Sequence, residues 1–155
     1  TYVGSKVCVA CHKNRDDSVE KWEKSKHAKA FETLATAAAK KLSKDPQNDP
    51  KCIVCHTVGL NQPGGYSQKL SDDKKAGLVG VGCENCHNAG SDYKKIMMAA
   101  MSGKFDHEKA MQAGLAHSMD VCVKCHNKNS PFFKEKEWDV KKKWALIKHG
   151  EKKKK

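Results

Sequence analysis

Cys8-Val9-Ala10-Cys11-His12 is followed along the chain by Cys52-Ile53-Val54-Cys55-His56, Cys83-Glu84-Asn85-Cys86-His87 and Cys122-Val123-Lys124-Cys125-His126. The four stretches use all 8 cysteines of the 155 residues. Two thiols three positions apart lie on one side of a helical turn and can form thioethers to the two vinyl groups of one haem. The adjacent histidine then lies under the iron as its proximal ligand. The motifs therefore predict four covalently bound haem c groups. Attachment falls to Cys8, Cys11, Cys52, Cys55, Cys83, Cys86, Cys122 and Cys125, and proximal ligation to His12, His56, His87 and His126.

Two Cys₄ zinc sites or four disulfides would also consume eight cysteines. Neither needs a histidine directly after each pair. With 8 histidines in 155 residues, four in those places by chance is on the order of 10⁻⁵.

The remaining histidines are His27, His107, His117 and His149. Four spare imidazoles for four irons point to bis-histidine ligation, which gives low-spin iron at a lower potential than a methionine ligand. His27 lies in a segment that reads as helix, with small residues leaving room for a porphyrin. His149 ends another helical pattern from 140 to 148, and His107 follows Gly103-Lys104-Phe105-Asp106 near an expected helix start. His117, five residues before Cys122, is the weakest of the four candidates. Met97, Met98, Met101 and Met111 are rival ligands but read as packing beside haem planes.

The composition agrees with an interior filled by cofactor: 38% hydrophobic, 6% aromatic and 31% charged residues are a thin supply for a core. The formal charge is +12, carried almost wholly by lysine. Nucleic-acid readers lean on arginine, and Arg15 is the only one, so no nucleic-acid partner is expected. The lysines instead balance haem propionates and steer docking onto redox proteins with acidic surfaces. No apolar run is long enough to span a membrane. The chain opens on Thr1 without a signal peptide, which gives the expectation of a processed, exported chain, periplasmic or extracellular.

Helices are expected over about 18–44, 92–118 and 134–149, with 45–50 as a breaker and 59–82 as loop turning at Pro63-Gly64-Gly65. The fold class is mainly α with extensive irregular loops. It is read as a single multihaem cytochrome domain over 1–150, folded around its four haems, followed by a lysine tail at 151–155.

Beyond the motifs, the chain carries Trp22 with Ser25-Lys26-His27-Ala28-Lys29-Ala30, then Gly64-Gly65-Tyr66, then Gly80-Val81-Gly82 before Cys83, and a histidine near its end. In these it resembles the tetrahaem cytochromes c of ammonia-oxidising bacteria, which accept electrons from hydroxylamine oxidoreductase. The resemblance implies stacked and perpendicular haem pairs, with His107 serving the first haem. It gives His27 and His149 to the third and fourth haems in an unassigned order. It also implies a second haem, on His56, with no distal protein ligand, and a non-ligating histidine at His117. The stretch from His126 to His149 is shorter than in that family, and of the covering loop only Asn129-Ser130-Pro131-Phe132-Phe133 remains. The His56 haem is thus either open or closed by His117, and the histidine count tilts the expectation to closure.

The expected function is electron transfer by a carrier rather than an enzyme, since no catalytic constellation accompanies the motifs. An open His56 haem reducing a small nitrogen oxide or peroxide is one alternative. A subunit of a conducting filament, through self-association, is another.

Overall fold

Asp49 and Pro50 start the helix that carries the second motif. In the computed structural model, which describes residues 1–150, Asp49 accepts the Lys51 N–H at 2.9 Å and Pro50 fills the first helical position. Proline's fixed φ suits that place, where its missing N–H has no partner to lose. The same logic of short, separately capped turns runs through the chain. The α-helices are α1 (Ser5–His12), α2 (Ser18–Lys24), α3 (Ala37–Lys40), α4 (Pro50–His56), α5 (Asp72–Lys75), α6 (Cys83–His87), α7 (Tyr93–Ala99), α8 (His107–Gln112) and α9 (Val140–Ile147). Short 3₁₀ helices cover Glu32–Ala35, Ala100–Ser102, Met119–Lys124 and Glu135–Glu137. No strand forms among the described residues, so the class is mainly α with long irregular connections, as expected. The lysine tail at 151–155 lies outside the described residues.

The long helix expected over 18–44 is instead broken into α2, a 3₁₀ turn and α3. Hydroxyl side chains do the breaking. Ser25 Oγ donates to the Trp22 carbonyl and lies 3.4 Å from the Ala28 N–H. Thr33 and Thr36 donate to the Ala30 and Thr33 carbonyls. Side chains that satisfy local backbone groups offer the chain an alternative to continued helix. His27 consequently sits in a turn rather than on a helix. The 92–118 stretch is likewise divided, into α7, a 3₁₀ turn and α8. His107 opens α8, capped by Asp106, which accepts the Lys109 N–H at 3.0 Å.

The N-terminus is fastened by the third motif. Glu84, 1% exposed, accepts backbone N–H groups from Val3, Gly4 and Gly90 at 2.7–2.9 Å at its nearest oxygens. Asn85 accepts the Gly82 N–H and donates to the Thr57 carbonyl at 2.9 Å, joining the third motif to the end of α4. A buried charge is tolerable when every lone pair it turns inward meets a donor.

The apolar core is small and in two pieces. Leu34, Ile53, Val58, Tyr66 and Leu78 cluster about α4. Tyr93, Ala110 and Leu115 join α7 to α8, with Ile96, Met97 and Phe105 against them. Met97 packs against this second cluster, and Met98, Met101 and Met111 stand on the protein surface. Among the described residues no helix is long and apolar enough to cross a membrane.

Candidate functional site

The four motifs lie on α1, α4, α6 and the 3₁₀ helix Met119–Lys124 with the residues that follow it. Three are α-helical turns, while the fourth is wound more tightly. In space they are not arranged in chain order. Cys8 lies against Cys83, within hydrogen-bond reach. Cys55 lies likewise against Cys125. Cys86 feels the charge of Cys122. Helix packing follows the same line, α1 on α6 and α6 on the 3₁₀ helix of the fourth motif. The attachment sites therefore run first, third, fourth, second.

Each motif histidine is oriented by its surroundings. His56 Nδ1 donates to the Ala30 carbonyl at 2.6 Å and His87 Nδ1 to the Ala116 carbonyl at 3.0 Å. His12 Nδ1 donates to Asp16 Oδ2 at 3.2 Å. His126 stacks on Trp138, ring centres 4.5 Å apart at 21°. In the first three, occupation of Nδ1 leaves Nε2 as the free donor atom, as metal-ligating histidines require.

The distal candidates fall into distinct places. His27 and His126 have ring centres 6.0 Å apart, and His87 and His149 5.9 Å apart. Two imidazoles that shared one metal, each about 2 Å from it with about 1 Å more to the ring centre, would stand about 6 Å apart, a separation that His107 and His117 also meet at 5.7 Å. His149 is held from both sides by α2 and the residue before it: Lys21 Nζ donates to the Lys148 carbonyl at 2.9 Å, and the Gly150 N–H donates to Asp17 at 2.7 Å. The turn bearing His27 is fixed by its carbonyl, which accepts the Val81 N–H at 2.9 Å. Gly80, at φ 80°, makes that approach possible, because a methyl there would meet the Ala28 carbonyl at 2.6 Å.

His117 lies 6.4 Å from His87 and 5.7 Å from His107. Its neighbour Ala116 is the acceptor for His87, which tethers His117 beside the third motif. No described ring contact brings it to His56.

Burial is the largest cause holding His27, His87 and His126 below the usual histidine range. The neutral imidazole, the form a metal binds, is thereby favoured. Among the described residues, no three His, Cys, Asp or Glu side chains converge as a metal-binding group. The imidazoles meet ring to ring, His27 with His126, and His87 with both His149 and His117, the last also touching His107. Paired nitrogen donors fit an iron whose other positions belong to a macrocycle, and the cysteine pairs beside them fit its covalent attachment.

Sequence reasoning missed Asp16, Glu84, Asn85 and Trp138. Asp16 stands four residues after His12, a helical neighbour spacing that could have flagged it. Glu84 and Asn85 were visible as polar residues inside a motif, but their long-range backbone partners were not.

Residues 7–88 match the family described as cytochrome c554 and c-prime. The chain is similar to cytochrome c-554 of Nitrosomonas europaea, 34% identical over 140 residues, which cover 81% of this chain and 57% of that protein. It thus spans a little over half the length of that relative. The fold is similar to the reduced state of cytochrome c554 from Nitrosomonas europaea, with a TM-score of 0.65 and 30% identity over 84% of this chain and 68% of that one.

Proposed function

This chain belongs to the cytochrome c554 and c-prime family, and from that premise we propose that it is an electron carrier, holding four covalent haem c groups between redox partners. When bound, haem c supplies a one-electron ferric–ferrous couple. The observation that carries the proposal is the spatial order of the attachment sites, with Cys8 on Cys83, Cys86 near Cys122, and Cys125 on Cys55. The protein brings each site against the next, so no gap interrupts a path from the His12 end to the His56 end.

In this reading His126 and His27 ligate one iron, and His87 and His149 another. His12 lies within electrostatic reach of His87, as does His117, and His117 contacts His107. The family resemblance gives His107 to the His12 haem as its distal ligand. His117 supports His87 without ligating. His56 is left without a second imidazole, an open coordination position on a protein whose residues otherwise serve transfer.

Covalent haem attachment of this kind takes place outside the bacterial cytoplasm, which supports an exported location. The exposed Lys141, Lys142 and Lys143 of α9, in a chain of formal charge +12, support docking on acidic partners. Reductive titration of the holoprotein tests the proposal. Uptake of four electrons per chain, with exchange among the haems faster than bimolecular reoxidation, is expected. Haems that reoxidise independently of one another would refute it.

A further inference from the structure

Of the four proximal histidines, His12 alone has a carboxylate on Nδ1 among the described residues. His56 and His87 donate to the neutral carbonyls of Ala30 and Ala116, and His126 stacks on Trp138. The Asp16 carboxylate is built in rather than loosely placed. Its Oδ2 lies 3.2 Å from His12 Nδ1, its Oδ1 accepts the Ser18 N–H at 2.8 Å, and the side chain is 14% exposed. One oxygen is thus committed to the entry of α2 and the other to the imidazole. A second-sphere carboxylate raises the basicity of a ligating imidazole more than a carbonyl does. Greater basicity favours the more positive metal state, ferric over ferrous.

We propose that Asp16 is a positioning residue which, through His12, makes the first haem the most reducing of the four. The inference rests on the reading of His12 as an iron ligand given above. Its consequence is directional. His12 stands at one end of the series His12, His87, His126, His56, so Asp16 sets the low-potential end at a terminus. Electrons entering there are favoured to leave toward His87.

The test is redox potentiometry on holoprotein carrying Asp16→Asn, with Asp16→Glu as the conservative variant. Asparagine keeps the size and can still accept the Ser18 N–H, but it turns an amide donor toward His12 and removes the charge. Asp16→Asn is expected to raise the midpoint of one haem by a tenfold change in its ferrous-to-ferric ratio at fixed poise, 59 mV for one electron. The other three should move much less, and Asp16→Glu should restore most of the shift. Four midpoints that stay in place, or that all move together, overturn the inference. Should the asparagine variant fail to mature, paramagnetic NMR of the unaltered holoprotein decides. The haem on His12 must then have the lowest midpoint, and a His12 haem titrating among or above the others overturns the inference. Mass measurement separates the two readings: fewer than four attached haems in the unaltered protein refutes the tetrahaem reading itself.

Discussion

The imidazoles of His27 and His126 stand with ring centres 6.0 Å apart at 63°, although they come from opposite ends of the chain. The contact is made by a turn that Ser25 creates and Gly80 admits, meeting a 3₁₀ helix from the C-terminal third. Both rings are driven toward the neutral form, by burial first and, at His27, by the charge of His126 second.

His27→Ala should convert one haem of four from low-spin to high-spin in the ferric protein and add one carbon monoxide per chain in the ferrous protein. The His87–His149 pair, on separate supports, should keep its low-spin signal. Electron paramagnetic resonance with a carbon monoxide titration checks both statements.

His117→Ala should leave the ligation of all four irons unchanged, because its ring lies against His87 and His107 rather than His56. The unaltered ferrous protein should bind one carbon monoxide per chain, at the His56 haem, and the variant the same number. An extra equivalent in the variant would make His117 a ligand.

Glu84→Ala should destabilise the fold by about 3 kcal/mol or more, since three buried or part-buried N–H groups lose their acceptor. Thermal unfolding monitored by far-ultraviolet circular dichroism measures it. The loss should be greatest in hydrogen-exchange protection of residues 1–4.

Asp139 caps α9, the helix that leads to His149, and accepts the Lys142 N–H at 3.1 Å. That backbone hydrogen bond is the main cause holding its carboxyl below the ordinary 3.8. A lowered value means the cap stabilises the folded state above that ordinary value and is lost as pH falls through the lowered one. The low-spin signal of the His87–His149 pair should therefore weaken as pH falls below 3.8. In Asp139→Ala the weakening should be present in part at neutral pH and change less with acid.

The attachment chemistry was legible because it is local: Cys-x-x-Cys-His is complete within five residues, and Asp49-Pro50 announces a helix start on its own. The spare histidines could be counted but not paired, since pairing depends on where loops such as 25–31 and the end of α9 arrive. The continuous helix read over 18–44 failed for a local reason that was also written in the sequence. Ser25, Thr33 and Thr36 each give the backbone a competing partner. The order of the sites in space, first, third, fourth, second, was out of reach because it is set by long-range bonds such as those of Glu84 and Asn85.

Anomalous diffraction at the iron edge on crystals of the holoprotein tests the central claim most directly. Four iron positions are expected in the order of the His12, His87, His126 and His56 sites, with His27 opposite His126 and His149 opposite His87. An iron isolated from this series, or irons that follow the order of the motifs in the chain, would contradict it.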